Sequence, residues 1–215
     1  MAHALAADGQ GEVRAGPRSR KGVQTRARLL DAAKQVFEER GFLEARISDI
    51  AERAGVSHGA FYHYFDSKEQ VFREVATALD ERLSEPMDQI IFAPSAGGPR
   101  DRLVEGIRRH LESYRDEARI MGVIEQVARY DEEVFAVRAA AGARHRHQIA
   151  DSIRRLQARR RADLTIDPEI AAAALGSMVE RFAEMWLAQG QLEADLDAAA
   201  TTLGTLFVNA LGLQE

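Results

Sequence analysis

An all-α chain of about nine helices is predicted, arranged as a small N-terminal three-helix unit followed by a larger helical one. Three observations predict it: apolar residues recur at helical spacing through most of the sequence, no stretch alternates as a strand would, and glycine, proline and cap residues divide the helical runs. The first stripe is Leu29, Ala33, Val36 and Phe37, closed by Gly41, after which Phe42 can fold back on Phe37. Before it, residues 1–21 read as a flexible arm. Gly16, Pro17 and Ser19 make poor helix until about Gly22, and Arg14, Arg18, Arg20, Lys21, Arg26 and Arg28 follow one another with no acid among them.

The second and third helices carry the most information. Ile47, Ile50, Ala51 and Ala54 fall at i, i+3, i+4 and i+7, so one face can rest on a core, and Gly55 then suits a left-handed helix end. Ser57 can cap the helix that follows, which turns Phe61, Tyr64 and Phe65 inward and leaves His58, Gly59, Tyr62 and His63 outward. Two short helices joined by a tight turn make a helix-turn-helix, and an outward face of imidazole and phenol groups suits a DNA major groove. Ser67 and Gln70 form a capping box that opens a fourth helix, whose free amides and Lys68 would face a phosphate.

The run from Ile47 to Phe72, with its segments IAERAGVS, FYHYF and SKEQVF, closely resembles the TetR/AcrR family of bacterial transcriptional regulators. The resemblance covers about Thr25 to Leu79, including a first helix that ends in Glu39, Arg40, Gly41 and Phe42. It implies a homodimeric repressor with one small helical domain per subunit on a double-stranded operator and a larger domain that dimerises and binds a small effector. By the same resemblance Tyr62, His63 and Lys68 fall where the family touches phosphates, and Ser57, His58 and Ala60 where it meets phosphates or bases. Two positions depart from the family's pattern. Arg46 stands where threonine commonly caps the second helix; it can reach a phosphate but cannot cap, so the cap is lost unless Ser48 shifts the helix start and supplies the oxygen. Ala60 stands where threonine is frequent, so base readout rests mainly on His58 and is supplemented by DNA shape. Arg20 and Lys21 of the basic arm can settle along the DNA backbone or minor groove.

Composition bounds the remaining classes. A net charge of −5 over 215 residues looks unsuited to DNA, but the acidic excess lies beyond residue 80, away from the basic arm. The chain has no cysteine, which excludes thiol sensing and thiolate metal sites. Arg144, His145, Arg146 and His147, with His110 elsewhere, invite a metal site, yet residues two apart on a helix point to different sides, and no metal or cofactor is expected. No phosphate loop, nucleophile elbow or His-Glu zinc motif supports an enzyme. No apolar run is long enough for a membrane span and no secretory signal is apparent, so a cytoplasmic protein is expected.

The fourth helix, 68–84, carries Val71, Phe72, Val75, Leu79 and Leu83 and would join a DNA-binding domain at 22–67 to an effector-binding and dimerisation domain at 68–215. Phe92 to Pro99 reads as a loop, and five helices follow at roughly 100–115, 117–129, 132–160, 168–189 and 196–211, with Asp131 and Asp167 as caps. Small residues crowd the last two helices. With Leu175, Val179, Leu203, Leu206, Phe207 and Leu211 they suit a four-helix dimer interface. Candidate effector lining comes from Leu103, Ile107, Leu111 and Tyr114, then Met121, Ile124 and Val127, and finally Met178, Phe182, Met185 and Trp186, an adaptable apolar wall for a lipophilic effector. Glu125, Gln126, Arg129, Glu180 and Glu184 lie beside those stripes and can fix a polar end.

Overall fold

The computed structural model describes residues 19–83 and 98–213, and among these the only regular structure is helical. Helix α1 is Arg20–Glu44. It starts earlier than expected because Ser19 caps it, its Oγ accepting from the Gly22 amide at 3.1 Å. Arg20 and Lys21 therefore sit exposed in the first turn of α1, which corrects their assignment to a flexible arm. Arg14, Arg18 and the rest of that arm lie outside the described residues, as do the expected end of the fourth helix near Pro86 and most of the loop before Pro99. Gly41, at φ 72° and ψ 174°, breaks the helical backbone, and Phe42 then stacks on Phe37 with ring centroids 5.9 Å apart.

Helix α2 is Ile47–Arg53, α3 is His58–Phe61 and α4 is Lys68–Leu83. Arg46 precedes α2 without a side-chain cap, and Ser48 lies within the helix instead of supplying one. What anchors α2 is charge pairing back to α1: Arg40 to Asp49 at 2.6 Å, and Arg53 to both oxygens of Glu39 at 2.6 and 2.7 Å. Gly55 takes φ 66°, and the Val56 amide donates to the Ala51 carbonyl at 3.0 Å, closing the turn as its sequence requires.

The larger unit contains α5 (Pro99–Asp116), α6 (Ala118–Val127), α7 (Glu132–Ala158), α8 (Pro168–Ala183) and α9 (Leu196–Leu211). Asp131, Asp167 and Asp195 cap α7, α8 and α9 through their side chains. A short π-helical stretch, Glu184–Ala188, ends α8 and packs on α6, a change of winding that a 3.6-residue pattern does not reveal. Helix α9 lies along α5 and α7 along α8, while α4 reaches both α5 and α7 and α1 rests on α6. One apolar cluster runs from Leu29 in α1 to Leu211 in α9, so the two units share a core. Ion pairs cross the same boundary: Lys34 and Arg82 both to Glu117, at 2.9 and 2.8 Å, and Arg144 to Asp80 at 2.6 Å.

The close packing of α9 on α5 already buries most of the residues expected at a dimer interface. Leu175, Val179, Leu203, Phe207 and Leu211 are buried within the single chain, and Leu206 alone of the six is exposed. Gly204 explains this: a Cβ there would lie 2.5 Å from Val104 Cγ2, so the small residue serves contact inside the subunit. An open apolar groove of about 590 Å³ remains between α8 and α9, lined by Met178, Phe182, Met185 and Leu206 among others.

Candidate nucleic-acid interface and ligand cavity

Ser57 Oγ accepts from the Ala60 amide at 3.1 Å and starts α3, whose Phe61 is buried, as is Phe65 in the turn that follows the helix. Packing those two rings turns the opposite face out, so Ser57, His58, Gly59, Tyr62 and His63 are exposed and Ala60 is half-buried. The His58 and Tyr62 rings meet edge to face at 5.4 Å, which fixes a small polar aromatic ridge at the start of the helix. Arg46 is exposed on the flank of the same unit. The expected partners of the capping box shift by one residue: Ser67 Oγ accepts from the Gln70 amide at 3.1 Å, but Gln70 Oε1 accepts from Asp66 rather than Ser67, at 2.6 Å.

Lys68, expected at a phosphate, also serves the fold. Its ammonium donates to the carbonyls of Phe42, Leu43 and Ala45, at 2.8, 3.2 and 3.1 Å, and lies 4.6 Å from the Phe42 ring centroid. All three donors are thus spent on the unpaired carbonyls after Gly41, and the side chain ties the start of α4 to the end of α1. A hydrogen bond from a charged group contributes about 1.5–3 kcal/mol, and three to half-exposed carbonyls are not additive. Lys68→Met, which keeps contact with Phe42, should therefore lower unfolding stability by about 2–3 kcal/mol in urea titrations. A loss under about 1 kcal/mol would leave the ammonium free for DNA.

Behind α4, between α5, α7 and α8, lies a cavity of two lobes that share Leu83, His110, His145 and Gly176. The larger lobe, about 270 Å³, has mainly apolar walls that include Ile107, Ile149, Val179 and Phe207. The smaller, about 140 Å³, carries Asp80, Arg138 and Glu180 among apolar residues such as Leu83, Met121 and Ala141. His110 Nε2 stands 3.4 Å from Glu180 Oε1, and the His110 and His145 rings lie nearly parallel at 6.4 Å. Arg138 donates to Glu125 Oε1 through Nε at 2.8 Å and approaches it again through Nη2 at 2.6 Å. Burial pushes the His145 imidazole below its ordinary value despite the Glu180 charge. Burial opposes ionisation of Glu180 too, but His110, His145 and Arg138 outweigh it and hold the carboxyl well below the usual range. Burial, then the charges of Glu180 and Glu125, push the Tyr114 phenol up, so it stays protonated.

Of the residues expected to line an effector pocket, Ile107 and Met121 do so. Leu103, Leu111, Tyr114, Ile124 and Val127 are buried core. Met178, Phe182 and Met185 face the outer groove, and Trp186 sits half-buried beside Phe182 at 5.8 Å. Val179 and Phe207, expected at the dimer interface, line the cavity instead. Helical stripes report burial but not which buried face borders a void. Among the polar candidates Glu180 lines the cavity, Glu125 holds Arg138, Glu184 pairs with Arg181 at 2.7 Å, and Gln126 and Arg129 are exposed. His110 and His145 were not anticipated as a pair. The signal was there for one of them, because His110 falls three residues after Ile107 and four before Tyr114, on the buried stripe of α5.

Residues 29–75 match the family described as bacterial regulatory proteins, tetR family. The HTH-type transcriptional regulator YdgC of Bacillus subtilis is 40% identical over 72 residues, covering 34% of this chain and 37% of YdgC. YfiR of the same organism is 37% identical over 86 residues, 38% of this chain and 42% of YfiR, so the chain spans about two-fifths of the length of these relatives. The HTH-type transcriptional regulator TtgR of Pseudomonas putida is 26% identical over 182 residues, 76% of this chain and 80% of TtgR. Among solved structures, Salmonella enterica GusR superposes with a TM-score of 0.72 at 23% identity, covering 91% of this chain and all of GusR. NalD, the secondary repressor of the MexAB-OprM multidrug efflux pump in Pseudomonas aeruginosa, does so with 0.69 at 24% identity, covering 92% of this chain and all of NalD. The structural likenesses show the shared fold, and the helix-turn-helix carries the sequence match. The DNA-binding region of the chain, residues 29–75, is that of the bacterial regulatory proteins of the tetR family.

Proposed function

We propose that this protein is a homodimeric transcriptional repressor that binds a pseudo-palindromic operator through α3 and is released when a small effector enters the cavity behind α4. The observation that carries the reading is the layout of α4. Its first turn holds the end of α1 through Lys68, and Val71, Phe72 and Val75 pack in the core behind the helix-turn-helix. Its far end supplies Asp80, Arg82 and Leu83 to the cavity wall. A ligand that displaces that wall acts on the element that orients α3. Weakening DNA binding five- to 150-fold requires a preference of only about 1–3 kcal/mol for the released state.

On the operator, Tyr62, His63 and Arg46 contact phosphates, His58 reads a base edge, Ser57 and Gly59 allow close backbone approach, and Ala60 meets a thymine methyl. Arg20 and Lys21, exposed at the start of α1, add charge toward the backbone. Residues 22–67 act as the DNA-binding domain, with the first turn of α1 joined to it, and 68–215 as the effector and dimerisation domain. The second subunit seats on the groove between α8 and α9, because a monomer leaves Met178, Phe182, Met185 and Leu206 partly uncovered there and two-fold symmetry matches two reading helices to two half-sites.

The test is to incubate the purified protein with fragments of its own genome, recover the bound DNA and sequence it, beside a Tyr62→Ala/His63→Ala variant. An enriched pseudo-palindrome that the variant no longer selects is the expected result. Equal enrichment by the variant would remove the assigned contacts, and no enrichment by either protein would remove the operator reading.

A further inference from the structure

We propose that the cavity behind α4 selects a cationic amphiphile, a protonated amine carried on a compact apolar body, with Glu180 as its counter-ion. The inference rests on that cavity being the effector site and adds the chemical class. Almost every other charged group on the wall is already paired: Asp80 with Arg144, Arg82 with Glu117, Arg109 with Glu105, and Arg138 with Glu125 through two nitrogens. Arg146 is exposed at the solvent rim.

Glu180 differs from these. Its partner is an imidazole and not a guanidinium: His110 Nε2 lies 3.4 Å from Glu180 Oε1, and both residues line the same lobe of the cavity. That Nε2 atom is itself buried without a hydrogen-bond partner. The smaller lobe thus presents a carboxylate with acceptor capacity left on it, and an ammonium has three donors to fill it. A carboxylate ligand would meet the Glu180 charge, with Arg138 already engaged. The adjoining lobe, walled by Ile107, Ile149, Val179 and Phe207, takes the apolar part.

Three matched probes test this: n-octylammonium, n-octanol and n-octanoate titrated calorimetrically into the full-length protein without DNA, and into E180Q. Octylammonium should bind roughly tenfold or more tighter than either other probe, and E180Q should abolish that preference. Octanoate binding as tightly as octylammonium, a preference that survives in E180Q, or no measurable octylammonium binding would each overturn the proposal. The ranking of probes on the unaltered protein decides even if E180Q folds poorly. Operator release is measured separately. An amine that binds without releasing DNA leaves the ligand class standing and removes the release mechanism, whereas release by a non-cationic occupant of the cavity does the reverse.

Discussion

Leu206→Asp should convert the proposed dimer into monomers and lower operator affinity by about 100-fold, because each half-site then binds without the effective concentration supplied by its partner. Leu206 is 47% exposed in the single chain and borders the groove that contains Met178, Phe182 and Met185. Two-fold symmetry places each substitution twice in the same interface, so two carboxylates enter an apolar patch together. Its neighbours on α9 are unsuitable for this experiment: Leu203, Phe207 and Leu211 are buried within the subunit, and charging them would unfold it. Sedimentation velocity and operator titration on the same sample give the answer. A variant that remains dimeric with undiminished affinity would move the interface away from α8 and α9.

Gly204→Val should destabilise the fold by about 3 kcal/mol or more. The glycine lies on a buried face of α9, and an added Cβ would sit 2.5 Å from Val104 Cγ2 and 3.3 Å from Val104 Cα. The Cγ2 methyl can rotate away, but the Cα belongs to the backbone of α5, so relief requires the two helices to separate. Alanine at the same site brings about 1 kcal/mol of helix propensity against an overpacking cost of about 1–3 kcal/mol, so Gly204→Ala should lie between wild type and valine. Gly59 is the control, since nothing lies within 4 Å of a Cβ built there. Urea unfolding of the three variants should rank Gly59→Ala as the most stable and Gly204→Val as the least. A Gly204→Val protein as stable as wild type would mean that α5 and α9 yield to one another freely.

Much of the helix-turn-helix was readable because its determinants lie within a few residues of one another. Gly55 and Val56 close the turn with hydrogen bonds to residues three and five positions back, and Ser57 and Asp131 cap their helices by accepting from amides three positions on. Phe61 and Phe65 face inward because four residues return nearly to the same side of a helix. The first turn of α1 was missed for an equally local reason. Gly16 and Pro17 argue against a helix in the sequence, but the capping oxygen of Ser19, which follows them, starts α1 at Arg20.

Composition, helical spacing and cap chemistry by themselves determined an all-α chain, the start of α3 and the outward placement of His58, Tyr62 and His63. Only the tertiary structure decided the use of Lys68, whose carbonyl partners lie 23 to 26 residues away. It also decided that His110 and His145 meet across a cavity from separate helices, and that Gly204 serves contact within the chain. The physical reason is the range of the interaction. Caps and helical faces follow from covalent neighbours, whereas a cavity wall, a spent ammonium or an interface depends on which faces of distant helices approach, and apolar periodicity marks such faces without naming their partners.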